Sequence, residues 1–257
     1  MNNYSCMLGF PPKLPVTDDD RQWVDDGFRR LERVLGRTRM LESSVVLPIP
    51  EHFPDPYDGT EGAVDKLFER ICKNMRVDAR SIDLEVFADE TEELRNVLPY
   101  WKSSIGGCAG LYVRADGDAR TVVAVKRSQL KDTVALVATL AHELGHVILL
   151  GDNLIDHEAP DMEPLTDLAT VFLGFGVFTA NCAVRFQQYQ TERKQGWSMT
   201  RLGYLPEQVY GYALAKFAAE RGEMRPEWTR HLTTNVRAYY KRARAWLEKH
   251  KSPQAIS

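Results

Sequence analysis

The sequence predicts an α+β domain in which helices outnumber strands. Three observations carry that expectation. Residues 130–150 are apolar on most sides and contain no breaker except Gly145, the pattern of a largely buried helix. Two β-rich runs flank Asp116-Gly117 in GLYVRADGDARTVVAVKR, residues 110–127, a hairpin signal. No linker is visible between the segments, and the 257 residues, 44% of them hydrophobic, suffice for one core.

The elements follow in order. Thr17 before Asp18, Asp19 and Asp20 starts a helix, with a capping hydroxyl and acids at the positive end of the dipole. Trp23, Phe28, Leu31 and Leu35 then recur at helical spacing. Ser44–Ile49 is expected as a strand closed by Pro50, and residues 51–60 as a loop rich in Pro, Asp and Gly. A helix is expected over Ala63–Met75 and a strand over Ile82–Phe87, where apolar and polar residues alternate. The hairpin and the long helix come next. Met162–Val184 predicts a second long apolar helix, and Pro206 opens a third that ends near Arg221-Gly222. Val236, Tyr239, Tyr240, Ala243, Trp246 and Leu247 form the stripe of the last helix.

Charge and cysteine usage narrow the function classes. With 33 basic and 36 acidic side chains the net charge is −3, so nothing draws the chain globally to nucleic acid or anionic membranes. The basic residues Arg237, Lys241, Arg242, Arg244, Lys249 and Lys251 are expected as the solvated face of the last helix. The N-terminal sequence lacks the basic and apolar regions of a signal peptide. The longest apolar stretches, Val134–Ala141 and Val171–Val177, are too short to span a bilayer. Cys6, Cys72, Cys108 and Cys182 lie far apart and are expected as reduced thiols in a cytoplasmic protein.

The chemistry concentrates in TLAHELGHVILLGD, residues 139–152. His142 and His146 lie one helical turn apart in H-E-x-x-H, so both imidazoles can aim at one ion. Two histidines and a glutamate in an apolar helix are costly to bury without partners, and a metal removes that cost. Zinc takes such nitrogen ligands, and a catalytic site keeps one position for water. Glu143, offset around the helix, is placed to act as general base toward that water. A third protein ligand is needed. Glu163 and Asp167, four apart at the start of the next helix, can divide the work, one binding the ion and the other receiving a ligand histidine's N–H. The two can exchange roles, and Asp152 and His157 are further candidates.

With H-E-x-x-H at residues 142–146, E-x-x-x-D at Glu163 and Asp167, and a hairpin upstream, the sequence resembles the zincin metallopeptidases of gluzincin type. It is similar to minimal cytoplasmic zincins of the ImmA/IrrE kind over residues 105–182. The metzincin pattern fits worse, because Leu149 stands where its glycine is required. The resemblance implies a zincin-like fold: a small mixed sheet whose edge strand holds substrate, packed on the active-site helix and followed by a helical C-terminal half. It also implies one zinc per chain and hydrolysis of a peptide bound in extended form by β-augmentation. On this view residues 1–104 are an N-terminal α/β part of a single domain, 105–182 its metal-binding core and 183–257 its helical C-terminal part. A non-catalytic protein on the same fold, and a metal-dependent hydrolase of a non-peptide substrate, are the competing classes.

Weaker signals surround the core. Cys108, among Gly106, Gly107 and Gly110, is either a small buried residue or a thiolate able to fill the metal's open position. Tyr204, Tyr210, Tyr212, His157 and His231 are candidate donors to a developing oxyanion.

Overall fold

A computed structural model describes residues 13–87, 110–113, 120–151, 153–191 and 205–250, with side chains for all of these except Val113 and residues 184–191. The expected start at Thr17 is used. Thr17 Oγ1 accepts the Asp20 N–H at 3.1 Å while Asp20 Oδ2 accepts the Thr17 N–H at 3.3 Å, a reciprocal cap for helix α1 (Asp18–Leu35). A short helix α2 (Arg37–Glu42), with no signal strong enough to predict it, follows at Gly36. Thr60 caps α3 (Glu61–Met75).

The segment Ser44–Ile49 is not a strand. Its backbone is extended over residues 44–47, but it runs against a helix end instead of a sheet, and the Val46 N–H donates to the Gly174 carbonyl at 2.9 Å. A short apolar run rich in β-branched residues packs equally well against a loop, so the residue types alone did not secure a strand partner.

Strands β1 (Ile82–Phe87), β2 (Gly110–Val113) and β3 (Thr121–Lys126) form a mixed sheet in the order β1-β3-β2. β2 runs antiparallel to β3 with Gly110 opposite Val125, and β1 runs parallel to β3 with Ile82 opposite Thr121. Among the described residues, β2 is therefore an edge strand of this sheet. The expected turn at Asp116-Gly117 lies outside the described residues.

A tight turn over Arg127–Lys131 precedes α4 (Thr133–Gly151), which starts later than the apolar pattern suggested. Asp132 sets the start, its Oδ1 accepting the Ala135 N–H at 3.1 Å. α4 packs against α3, β2, β3 and the two helices that follow it. By length and composition it could cross a membrane, unlike the shorter stretches considered above, but 78% of its most apolar window is buried inside the protein.

The expected helix Met162–Val184 is two helices, α5 (Met162–Phe172) and α6 (Gly176–Thr191). Gly174 breaks it with φ +91°, and the Phe175 N–H turns back to the Thr170 carbonyl at 2.8 Å. A side chain at Gly174 would lie 2.1 Å from the Ser44 carbonyl oxygen, so the glycine also admits the extended segment. α7 (Glu207–Glu220) begins after Pro206, and α8 (Thr234–Lys249) follows a turn at Glu227–His231. Val236, Tyr240 and Ala243 face the core as expected. Arg244, placed on the solvated face from sequence, is buried, with its Nη2 donating to Glu248 Oε1 at 3.2 Å.

Candidate metal centre

α4 delivers His142, Glu143 and His146 into the interior, where each is 4–6% exposed. α5 lies across it and supplies Glu163 from its first turn and Asp167 one turn later. His142 Nε2 and His146 Nε2 stand 3.1 Å apart. Glu163 Oε2 lies 3.0 Å from the first and 3.3 Å from the second. Glu163 is half exposed, so the cluster reaches solvent on its side, while Asp167 is buried.

Asp167 settles the chemistry of His142. Asp167 Oδ1 is 2.8 Å from His142 Nδ1, and a carboxylate only accepts, so Nδ1 carries a hydrogen and Nε2 is the nitrogen left to face an ion. Asp167 is held in turn by the Leu205 N–H, which donates to Oδ2 at 2.8 Å. Three polar atoms of these side chains thus converge on one point, an arrangement able to take up a cation. Three atoms bound tetrahedrally to one ion at about 2.0–2.1 Å stand about 3.3 Å apart, close to the spacings of this triangle. The His142, His146 and Glu163 cluster could hold a metal ion.

The electrostatics describe the same convergence without the ion. Burial disfavours a charged His142 ring, but its hydrogen bonds to Asp167 and Glu163 prevail and hold its pKa well above the usual imidazole range. Burial also opposes ionised Glu163, yet the hydrogen bonds of His142 and His146 keep it well below the usual carboxylate range. Glu143 moves the other way. Burial raises its pKa, and the fields of His142 and His146 offset only part of the rise.

No family model, curated protein or solved structure matches this chain.

Among the described residues, the other candidates do not join the cluster. His157 is exposed in the turn before α5, and Asp152 lies outside the described residues. Cys108 and Tyr204 also lie outside them. Tyr212 is engaged elsewhere, its hydroxyl donating to Asp25 Oδ1 at 3.1 Å. Tyr210 is buried in α7, and His231 lies in the turn before α8 with Nε2 accepting from Arg230 Nε at 3.2 Å. The thiols of Cys72 and Cys182 are buried, and burial pushes that of Cys72 up to about 12.

Three neighbours of the cluster were not tied to it from the sequence. The Tyr112 ring lies within 18° of parallel to His146, with centroids 6.0 Å apart. A side chain at Gly110 would meet Glu143 Oε1 at 2.7 Å, so β2 crosses directly over the glutamate. Thr166 Oγ1 is 3.3 Å from His146 Nδ1. A threonine directly before Asp167 in an apolar helix was the available signal for the last of these.

Proposed function

We propose that this chain is a zinc-dependent metallopeptidase with Glu143 as its general base. The carrying observation is the convergence of His142 Nε2, His146 Nε2 and Glu163 Oε2 beside a buried glutamate that belongs to no part of the triangle. Two imidazoles and one carboxylate suit zinc, and three protein ligands leave a position open, as catalytic sites do. A purely structural site would have no use for Glu143 beside its ligands.

When bound, zinc supplies Lewis acidity, enough for water to ionise near pH 7. The chain's own residues do the rest. Asp167 keeps the His142 hydrogen on Nδ1 and the ring in place. Glu143 takes a proton from the attacking water and returns it to the departing amine, and its raised pKa suits both transfers near neutrality. β2 supports a peptide substrate in particular. It is a sheet edge, and Gly110 on it touches Glu143, so an extended peptide paired with that edge passes beside the base.

The test is cleavage of a peptide library by zinc-loaded wild type and Glu143→Gln, with zinc measured in both. Glutamine keeps shape but not basicity, so turnover is expected to fall by about 100- to 10,000-fold at unchanged zinc content. Equal cleavage by the variant removes Glu143 from the mechanism. Zinc loss as severe as in His142→Ala makes it part of the metal's support. A wild type that holds zinc yet cleaves no peptide points to another substrate or to a binding role.

A further inference from the structure

We infer that Thr166 is a positioning residue for the metal centre. It holds His146 in the tautomer and orientation that aim Nε2 at the ion, and Gly145 makes that contact possible. The inference rests on the metal reading of the cluster.

The two histidines have different supports. His142 leans on a carboxylate, Asp167, but the group 3.3 Å from His146 Nδ1 is the Thr166 hydroxyl. A hydroxyl can donate or accept, so its partners decide its role. Here Thr166 Oγ1 has an acceptor for its own hydrogen in the Met162 carbonyl, at 2.9 Å. That leaves the lone pairs of Oγ1 to face the ring, and His146 Nδ1 must be the donor. His146 Nε2 then carries the lone pair that points at His142 Nε2 and Glu163 Oε2. The Tyr112 ring lies against the same imidazole from the sheet side, limiting its tilt.

The approach of α4 and α5 sets this distance. Gly145 precedes His146 directly, and a side chain there would meet Thr166 Cγ2 at 2.8 Å. Thr166 is fully buried and threonine is stiff at χ1, so the methyl cannot swing aside. The glycine between the two histidines of H-E-L-G-H thus admits the threonine that orders the second histidine. A packing role alone would need the methyl and not the hydroxyl.

Thr166→Val and Thr166→Ser separate these roles. Valine keeps the shape and removes the acceptor, whereas serine keeps the acceptor and removes the methyl. Zinc affinity is measured for each by competition with a chelating dye, and thermal stability is measured on chelator-stripped protein. Thr166→Val is expected to weaken zinc binding about 10-fold or more, the usual loss when the outer partner of a ligand histidine is removed. Thr166→Ser is expected to stay within about threefold of wild type, even where its stripped form melts lower. Valine binding as tightly as wild type, or serine weakening as much as valine, overturns the inference. Long-range proton–nitrogen NMR on zinc-loaded wild type gives a reading independent of variants. It should place the His146 hydrogen on Nδ1, and a hydrogen on Nε2 overturns the inference whether or not Thr166→Val folds. Failure of wild type itself to bind zinc refutes the metal reading instead.

Discussion

His142 is the residue on which the site's charge balance turns. Asp167 lies on one side of its ring and Glu163 on the other, and the ring is almost entirely buried. Without metal a proton takes the cation's place, which is why the His142 pKa stands well above its ordinary value of about 6.5 despite the opposing effect of burial. The sign of the stability dependence follows. A raised folded-state pKa contributes stability that is complete below about pH 6.5 and lost as pH rises through the raised value. Glu163, held low, contributes stability above its ordinary value of about 4.3 that is lost as pH falls. Metal-stripped protein should therefore melt at a lower temperature as pH is raised above about 6.5. The increase in melting temperature on adding zinc should grow over the same range, because zinc displaces the proton. Asp167→Asn removes the strongest influence raising the His142 pKa and should flatten the dependence of the stripped protein. Calorimetry from pH 6 to pH 9 decides it, and a stripped wild type whose midpoint is constant or rises over that range contradicts this charge assignment.

At the level of elements, the close crossing of β2 over α4 decides where Glu143 can be. Gly110 lies where a side chain would press on Thr139 Cγ2 at 2.6 Å and on Glu143 Oε1 at 2.7 Å. Neither neighbour can yield easily, because Thr139 is stiff and Glu143 is buried against the strand. Gly110→Ala must lift the strand or turn the glutamate. Overpacking of this kind costs about 1–3 kcal/mol. The variant should unfold at lower urea, and on the proposed function its peptide turnover should fall while its zinc content stays near that of wild type. Wild-type stability together with wild-type turnover would show that the crossing is looser than described. α5 depends on a similar local condition. It stops at Gly174, and the turn that glycine permits both ends the helix and receives the Ser44–Leu47 segment.

Over the whole molecule, the N-terminal helices are bound to the C-terminal ones by charge as well as by apolar contact. Arg221, at the end of α7, donates through Nη1 to the carbonyls of Met40 at 2.7 Å, Leu41 at 3.1 Å and Ser43 at 2.8 Å, where α2 ends. Its Nε donates to Glu223 Oε1 at 2.6 Å. Arg37 reaches Glu220 Oε2 from the other side at 2.8 Å. Between these contacts one cluster of buried apolar residues extends from Val24 to Ala243. Arg221→Met leaves several carbonyls of a partly buried helix end without a donor and should cost roughly 2–3 kcal/mol. Urea unfolding should show a lower midpoint with an unchanged slope in a single transition. Two separated transitions would mean that the N- and C-terminal parts fold apart.

Much of this was legible in local sequence because its causes are local. Thr17 with three acids, and Pro206 with Arg221-Gly222, marked helix ends through capping and backbone restriction, which need only near neighbours. H-E-x-x-H placed two imidazoles on one side of a helix because the helical repeat does so wherever it forms. What local sequence left open was decided by contact between distant elements. Glu163, and not Asp167, completes the triangle because α5 crosses α4 at an angle that brings its first turn to the two Nε2 atoms and its second turn to His142 Nδ1. The roles of Thr166, Tyr112 and Gly110 come from the same crossing and from the sheet above it. Ser44–Ile49 failed as a strand for a related reason: Val45, Val46 and Leu47 make it a segment that packs inward, but only the folded chain decided that a turn at Gly174, and not a strand, would meet it. Helical periodicity and end signals thus lie in the sequence, whereas the third ligand, the partners of each imidazole and the strand over Glu143 depend on inter-element distances that no single segment encodes.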